Sequence, residues 1–295
     1  MKYAELDGTR VETENGQDKL LAALYTHAAG RILLKPFTGA GFSKAVGWFM
    51  NQPVSARLIA SAIQEYRIDM TRYEETVYRT YNEFFTRRLC KEARQTTFDP
   101  DWLISPSDGK VSVYPITEKG RFRIKNTPYT MRRLLRDSGL AKRYEGGFLF
   151  VIRLTVDDYH RYCYPADGAK TGNRKVDGYF HTVNPVANDY YPIYKENTRE
   201  YTCIRSEEFG DVLQMEVGAM CVGRIVNYEG KGKAVKGKEK GRFEFGGSTI
   251  LVAVQKGRVQ VREDLLKNTK DGYETRIRMG DKLGIKASED FLKNG

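Results

Sequence analysis

The sequence has few cysteines and histidines and no long apolar run, and each shortage limits what the chain can be. Its four cysteines (Cys90, Cys163, Cys203 and Cys221) include no Cys-x-x-Cys pair. We therefore expect free thiols in a reducing compartment rather than a disulfide framework. The three histidines and the cysteines lack ligand spacing, so we predict no metal centre. No segment approaches the ~20 apolar residues that span a bilayer.

The charge balance is strongly basic. The 295 residues include 49 Lys and Arg against 38 Asp and Glu, a formal net charge of +11. This excess favours an anionic partner, whether nucleic acid, acidic lipid or a phosphorylated ligand. Neither zinc-finger spacing nor an RNA-binding aromatic motif is present, so we expect no nucleic acid partner.

The periodicity of apolar residues predicts an α+β fold. Residues 18 to 70 keep helical spacing, and the pattern changes to strands from about residue 100. We therefore predict a helical N-terminal region over 1–100 and a β-rich catalytic domain over 101–295. Thr127 and Pro128 predict the start of a helix that runs to about Leu140. The predicted strands are 111–114, 148–156, 175–180, 201–205, 212–228, 250–255, 258–262 and 276–285.

Two segments each allow two interpretations. Residues 42–50 combine Trp48 and Phe49 with Lys44, a pattern that fits either a helix in a lipid interface or one that covers a core. Residues 231–240 hold five lysines and one glutamate, typical either of a solvated loop or of a site that draws anionic lipid headgroups.

The run Gly246-Gly247-Ser248-Thr249, which leads into the apolar strand 250–254, carries the most specific chemistry. Glycine allows strained backbone geometry, which leaves the carbonyl of Gly247 open to attack by the Ser248 hydroxyl. An N-to-O acyl shift followed by β-elimination would free the upstream chain and leave a pyruvoyl group at Ser248. Such a carbonyl is an electron sink made from the protein itself.

Five further motifs occur in order with this run, and together the six resemble the phosphatidylserine decarboxylase family from about residue 80 to the C-terminus. The five motifs are Asn82-Glu83-Phe84-Phe85-Thr86-Arg87-Arg88-Leu89, Ser105-Pro106-Ser107-Asp108-Gly109-Lys110-Val111, Asp158-Tyr159-His160-Arg161-Tyr162, Thr182-Val183-Asn184-Pro185 and Val217-Gly218-Ala219-Met220-Cys221-Val222-Gly223-Arg224-Ile225.

The resemblance implies a proenzyme of the bacterial type that cuts itself between Gly247 and Ser248 into a β chain (1–247) and an α chain (248–295). The pyruvoyl group from Ser248 would decarboxylate phosphatidylserine to phosphatidylethanolamine and CO2 through a Schiff base. The implied partners are phosphatidylserine and an anionic membrane surface. The implied location is peripheral, at the cytoplasmic face of the cell membrane.

The resemblance also assigns roles to individual residues. Asp108 aligns with an acid that pairs with a catalytic histidine, and His160 aligns with the histidine of the decarboxylation step, where it would donate a proton. Cys163 stands where the family usually has the histidine that acts as the cleavage base. Either Cys163 is a thiolate with a lowered pKa or another group acts. We hypothesise that His181 partners Asp108 and activates Ser248.

Two other functions stay open at this stage. One is a pyruvoyl decarboxylase that acts on a soluble amino acid. The other is a basic peripheral membrane-binding protein that no longer cuts itself, which the cysteine at position 163 leaves open. The sequence also leaves open whether the N-terminal helices bind lipid or form a homodimer.

Overall fold

The computed structural model describes residues 2–12, 40–93, 95, 97–124, 127–178, 193–218, 224–245 and 248–288. Its helices are short, and most lie in the N-terminal third of these residues. Two 3₁₀ segments, Pro53–Leu58 and Met70–Arg72, lie between the first three α-helices. The α-helices are α1 (Ala40–Met50), α2 (Ile59–Glu65), α3 (Tyr81–Phe85), α4 (Met131–Leu135), α5 (Ser138–Lys142), α6 (Ile193–Glu196) and α7 (Glu263–Lys270).

Strands make up most of the remaining described residues. They are β1 (Lys2–Ala4), β2 (Arg10–Glu12), β3 (Trp102–Ile104), β4 (Gly109–Pro115), β5 (Arg121–Ile124), β6 (Thr127–Thr130), β7 (Phe148–Leu154), β8 (Arg161–Cys163), β9 (Gly168–Lys170), β10 (Arg174–Val176), β11 (Arg199–Ser206), β12 (Gly210–Gly218), β13 (Ile225–Asn227), β14 (Gly232–Ala234), β15 (Glu239–Phe243), β16 (Ser248–Val254), β17 (Val259–Val261), β18 (Glu274–Ile277) and β19 (Lys282–Lys286). The α+β prediction is confirmed.

One large sheet organises the fold. Its order in the described chain is β14-β9-β11-β12-β16-β7-β4-β18-β1-β2, with β10 paired to β11. Its neighbours pair antiparallel except β1 and β18, which run parallel. Two three-stranded sheets, β13-β15-β8 and β17-β19-β3, and the hairpin β5-β6 complete the strand pairing.

The central strands are buried on both faces, which explains their continuous apolar sequences. All seven residues of β16 are buried, and six of the seven in β7 are. Ile250 and Val252 belong to the apolar cluster on one face, whereas Leu251 and Ala253 belong to the cluster on the other. Side chains of one strand alternate between the two faces, so β16 contributes to both cores.

The N-terminal helices form a third apolar cluster, which includes the buried rings of Phe84 and Phe85. Helix α3 is capped by Thr80, whose Oγ1 accepts from the amide of Glu83 and so satisfies an amide that the first turn leaves without a helical partner. The Glu83 carboxylate accepts from the amide of Arg79, the residue before the cap.

The helix predicted from Thr127 to Leu140 is wrong. Residues 127–130 form β6, which pairs antiparallel with β5, and two short helices follow instead of one. The helix cap is Thr130, whose Oγ1 accepts from the amide of Arg133. Pairing of Thr127 with Ile124 in the hairpin overrides the local signal of the Thr-Pro pair.

Other differences concern short elements. The strand predicted over 276–285 is two strands, because a turn at residues 278–281 separates β18 from β19. The segment predicted over 212–228 contains β12 and β13, with residues 219–223 outside the described chain. The strands β1 and β2 and the helix α7 were not predicted. The division at residue 100 stays a prediction.

Candidate active site

Three of the predicted reactive residues lie at the same end of the central strands of the large sheet, which we call the sheet edge. Ser248 begins β16, where it faces Leu154 on one side and Gly218 on the other. Asp108 precedes β4, which lies two strands from β16, a spacing of about 10 Å. His160 lies in the segment that follows β7. The sheet therefore brings Ser248, Asp108 and His160 to the same edge.

Ser248 is fully buried, and its hydroxyl oxygen has no hydrogen-bond partner among the described residues. Leaving a buried hydroxyl unpaired costs about 1–3 kcal/mol, so such groups concentrate at sites of chemistry. The Oγ is thus available as a nucleophile in a place shielded from water. Gly247, the other half of the predicted cleavage bond, lies outside the described residues.

The hydrogen bonds of His160 define its tautomer. Its Nδ1 lies 2.9 Å from the carbonyl oxygen of Asp158, and because a carbonyl only accepts, Nδ1 carries the hydrogen. The Nε2 atom is buried and has no partner in the described chain. Burial, followed by the nearby Arg87 guanidinium, lowers the pKa of His160 to about 3. His160 is therefore a neutral imidazole whose Nε2 is unprotonated and makes no hydrogen bond to a described residue.

Arg87 holds the segment that carries His160. Its guanidinium donates to the carbonyl oxygens of Asp157 at 3.1 Å and Asp158 at 3.4 Å. The same group lies over the ring of Tyr73, 4.4 Å from its centroid, and is almost fully buried. Since Asp158 also receives the Nδ1–H of His160, Arg87 fixes the carbonyl that sets the orientation of the imidazole.

The N-terminal helices also contact the segment just before Ser248 through a hydrogen bond and a ring contact. The amide of Phe245 donates to Asn82 Oδ1 at 2.9 Å, and the amide group of Asn82 donates to Asn51. The ring of Phe245 packs edge-on against Phe85, which itself lies 3.9 Å from the His160 ring, centroid to centroid. The segment that leads to Ser248 is thereby tied to the same helix that packs on His160.

Asp108 lies in a tight turn at the start of β4. Its Oδ1 accepts from the amide of Met279 at 2.8 Å. Gly109 has a φ of +149°, and a Cβ there would lie 2.7 Å from the carbonyl oxygen of Arg153, so only glycine fits. Burial raises the pKa of Asp108 to about 6, and the charge of Asp158 adds to this against the Met279 bond. Its predicted partner, His181, lies outside the described residues, so that pairing stays a prediction.

Cys163 cannot serve as a thiolate base. It is buried, and desolvation raises the pKa of its thiol to about 12, so the group is neutral at physiological pH. The alternative that its pKa is lowered is therefore wrong, because none of the described cations offsets the loss of hydration. Cys90, Cys163 and Cys203 are free thiols as predicted, and Cys221 lies outside the described residues.

A buried ion pair joins strands β12 and β15. Lys240 Nζ donates to both carboxylate oxygens of Glu216, at 2.7 and 2.6 Å, and both side chains are essentially inaccessible to water. Glu216 lies two residues before Gly218, the partner of Ser248 in the sheet. Asn227 donates to the Glu216 carboxylate at 3.4 Å. This pair gives the interior near Ser248 a fixed charge arrangement.

The lysine-rich segment is accordingly not a solvated loop throughout. Lys236 is buried and donates to the carbonyl oxygens of Asp99 and Pro100, and Lys240 forms the pair just described. Only Lys231 and Lys233 of the five are exposed without such partners. The expectation of a solvated loop is wrong for the two buried lysines, since charge counts do not reveal burial.

An exposed apolar surface lies on the N-terminal helices next to this site. Trp48 is 67% exposed, and the exposed fractions of Phe49, Val54 and Leu58 are 41%, 48% and 42%. We call these four residues the aromatic surface. Residues 40–64 contain no carboxylate, and both Lys44 and Arg57 are exposed there. No helix in the described ranges is long and apolar enough to cross a bilayer.

Comparison with known proteins now adds to this geometry. The family model described as phosphatidylserine decarboxylase matches residues 81–285. A phosphatidylserine decarboxylase proenzyme 2 from Clostridium acetobutylicum is 42% identical over 272 residues, 92% of each chain. The chain belongs to the phosphatidylserine decarboxylase family. Proenzymes of that name from Clostridium botulinum (38% identical, 91% of this chain and 93% of the relative) and Fusobacterium nucleatum (35%, 96% and 97%) agree.

The match to the phosphatidylserine decarboxylase family includes every residue of the sheet edge and excludes the aromatic surface, which lies before residue 81. Motif reasoning found Ser248, His160 and Asp108. It quoted the motif that contains Asn82 and Arg87 but gave these residues no role. The available signal was an arginine close to two phenylalanines in the sequence, since a charge that such a run carries into the core needs specific partners.

Proposed function

We propose that this chain is a phosphatidylserine decarboxylase proenzyme that cuts itself between Gly247 and Ser248. The observation that carries the proposal is the buried, unpartnered hydroxyl of Ser248 at the same sheet edge as the open Nε2 of His160. Membership in the family supplies the reaction, which is loss of CO2 from phosphatidylserine to give phosphatidylethanolamine.

In the proposed cleavage reaction we give the role of proton acceptor to His160, in place of the His181 hypothesis, because His160 is the imidazole that the described residues place at this end of the sheet. As Nε2 takes the Ser248 proton, Oγ attacks the carbonyl carbon of Gly247. The ester C–O bond forms, the amide C–N bond breaks, and the proton passes to the released amine. Removal of the Cα proton then expels the upstream carboxylate and leaves dehydroalanine. Addition of water releases ammonia and leaves a pyruvoyl group.

The residues around Ser248 fit such a group. When formed, its carbonyl supplies an electron sink for the decarboxylation of an amine-bearing substrate. The full burial of Ser248 keeps bulk water from the reacting atoms, which strengthens the electrostatic interactions there. The His160 ring, held by Arg87 through Asp158, would take up a proton from solvent at Nε2 and deliver it to the reacting carbon after CO2 leaves.

We also propose that the aromatic surface docks on the cytoplasmic face of the cell membrane. The substrate is a bilayer lipid, and a helix with exposed Trp and Phe beside cations and without carboxylates suits an anionic interface. Helix α3 packs against Phe245 and His160 and is hydrogen-bonded to Asn51 and Ser55, which lie among the residues of this surface, so docking would place the lipid headgroup near Ser248.

The first experiment is the intact mass of the purified protein under denaturing conditions, beside a Ser248→Ala variant. We expect two chains from the wild type, the smaller beginning with a pyruvoyl group, and one uncut chain from the variant. An uncut wild type, or a variant that is still cut at this position, would overturn the proposal. Release of CO2 from free serine rather than from phosphatidylserine vesicles would favour the soluble-substrate alternative.

Membrane docking has its own matched test. Val54→Ser removes an apolar side chain from the aromatic surface, and Val235→Ser removes one of similar exposure elsewhere (48% and 41%). Flotation with vesicles that contain phosphatidylserine should fall for Trp48→Ser and Val54→Ser but not for Val235→Ser. Equal binding by all three variants would contradict docking through this surface.

A further inference from the structure

A basic groove lies at the far end of the sheet from Ser248. It has a volume of about 1090 Å³ and is bounded by the β5-β6 hairpin on one side and by α4 and α5 on the other. Glu145 is its one lining carboxylate. The cations that line it, all exposed, are Lys119, Arg121, Arg123, Arg132, Arg133 and Lys142. We call this feature the basic groove.

Most of these cations have no counterion. Lys119, Arg121, Arg132, Arg133 and Lys142 form no ion pair with any described residue. By contrast, three basic residues around the groove are paired. Those pairs are Arg143 with Asp211 at 2.8 Å, Arg174 with Asp137 at 2.8 Å and Lys256 with Glu118 at 3.1 Å. Unpaired like charges repel one another, so this concentration favours an anion from outside the chain.

The groove is built on ordered elements rather than on loop tips. In the hairpin Arg121 pairs with Thr130, and the buried rings of Phe122 and Tyr129 stack with their centroids 5.5 Å apart. Thr130 also caps α4, which carries Arg132. Arginines placed on paired strands and a packed helix can meet an anion with little loss of backbone entropy.

The position of the groove separates it from the reaction edge. Val254, at the end of β16, pairs with Phe148, which pairs with the groove residue Pro115. Six residue steps along β16 separate Val254 from Ser248, about 20 Å. The aromatic surface lies at the Ser248 end. If it docks as proposed above, the basic groove faces away from the bilayer, and its ligand comes from solution.

We propose that the basic groove binds a soluble ligand that bears two or more phosphate groups. Arginine and lysine are the side chains that bind phosphate most strongly, and six of them around one carboxylate exceed the need of one phosphate. The groove volume lies just above the usual range of small-molecule sites, about 300–1,000 Å³. Only the inference that the ligand is soluble rests on membrane docking.

The test is isothermal titration calorimetry of the full-length protein with tripolyphosphate at a fixed salt concentration. A groove variant (Arg121→Gln, Arg132→Gln, Lys142→Gln) is compared with a control that removes the same charge elsewhere (Lys267→Gln, Lys270→Gln, Lys286→Gln). We expect the wild type and the control to bind within twofold of each other and the groove variant to bind at least tenfold more weakly. Circular dichroism checks that all three proteins are folded.

Several outcomes would overturn the proposal. Absence of tripolyphosphate binding, or equal weakening in both variants, would mean that net charge alone matters. Inorganic phosphate that binds as tightly as tripolyphosphate would indicate a site for one phosphate. If the groove variant loses binding to phosphatidylglycerol vesicles by the same factor, the groove is a lipid-binding surface. None of these readouts depends on decarboxylase activity, so the proposed function can fail independently.

Discussion

The two ends of β16 differ in whether the charged groups around them are buried and paired or exposed and unpaired. At the Ser248 end, polar groups are buried, charges are paired as in Lys240 and Glu216, and His160 is neutral. At the Val254 end, the basic groove exposes five cations that form no ion pair with a described residue. The same central strands thus connect a closed, low-dielectric edge to an open, electropositive one.

This difference follows from what each end must do. Bond-making chemistry benefits from fixed dipoles and from the exclusion of water, which makes every local interaction stronger. Capture of an anion needs exposed cations, whose field reaches into solvent and weakens with salt. The formal net charge of +11 therefore overstates the positive field at the protein surface, because buried lysines add to the count without adding to that field.

The largest expected effect tests His160 as the proton acceptor at the closed edge. His160→Ala and His160→Gln should both slow self-cleavage by about 10²–10⁴-fold, the usual contribution of a general base. Cell-free synthesis followed by gel analysis of the cut fraction measures the rate. Imidazole should rescue the alanine variant, which leaves a cavity, and not the glutamine variant. Cleavage of both variants at the wild-type rate would exclude the role.

The second-largest expected effect is on stability and tests the buried ion pair of Lys240 and Glu216. Lys240→Met leaves the Glu216 carboxylate buried without a counterion and should lower the free energy of unfolding by about 3–5 kcal/mol. The double variant with Glu216→Leu should return to within about 1.5 kcal/mol of the parent, since it removes both charges. Urea unfolding in a Ser248→Ala background keeps the chain uncut.

Lys231→Met is the matched control for that series, because Lys231 lies in the same lysine-rich segment but is exposed. It should change stability by less than about 0.5 kcal/mol. A Lys240→Met effect no larger than this control would mean that water reaches the pair, and the contrast between the two ends of β16 would then be weaker.

The pH dependence of stability gives a smaller effect with a defined sign. Because the folded-state pKa of His160, about 3, is below its ordinary value of 6.5, its contribution is present above pH 6.5 and is lost as pH falls toward 3. Between pH 7 and 5 this loss is about 2 kcal/mol. Relative to its uncut Ser248→Ala parent, His160→Gln should gain that amount over the same interval in urea unfolding.

Asp108 works in the opposite direction. Its folded-state pKa of about 6 is above the ordinary 3.8, so the folded state binds the proton more tightly and gains stability as pH falls through 6. Asp108→Asn should therefore lose about 1 kcal/mol relative to the same parent between pH 7 and 5. Parallel pH curves for both variants and the parent would contradict burial of the two groups.

The smallest expected effect on stability comes from substitutions in the basic groove. Neutralising Arg121, Arg132 and Lys142 to glutamine should change the free energy of unfolding by less than about 0.5 kcal/mol per substitution, because exposed, unpaired cations contribute little to folding. Urea unfolding of the triple variant in the uncut background measures it. A loss comparable to that of Lys240→Met would show that these side chains support the fold.

The sequence predicted the elements whose signal is local. The apolar runs that became β7 and β16 are continuous because both faces are covered, and periodicity detects this. Helix α7 was missed although Glu263 and Asp264 in its first turn and Lys267 and Lys270 in its last match the helix dipole. The strands β1 and β2 have three residues each, and β1 pairs with β18 at the other end of the chain, which no local pattern encodes.

The site shows the same limit. Ser248, His160 and Asp108 were predicted because their residue types occur in motifs. Arg87 and Asn82 were not assigned roles because their partners, Asp157 and Phe245, lie 70 and 163 residues away. Burial of Lys240 was equally invisible, since its sequence neighbours are mostly charged. Composition and spacing identify reactive groups, whereas the groups that orient them depend on the tertiary fold.

The central position of β16 has a consequence for the order of events in the life of the molecule. If Ser248 is the point of cleavage, the 48 residues that follow supply β16, which pairs with both β12 and β7, and β18, which pairs with both β4 and β1. A chain cut before the sheet had formed would lack its middle strand. Cleavage would then follow folding: only a chain with the complete sheet would become chemically competent, and a cut molecule that unfolded could not refold as one chain.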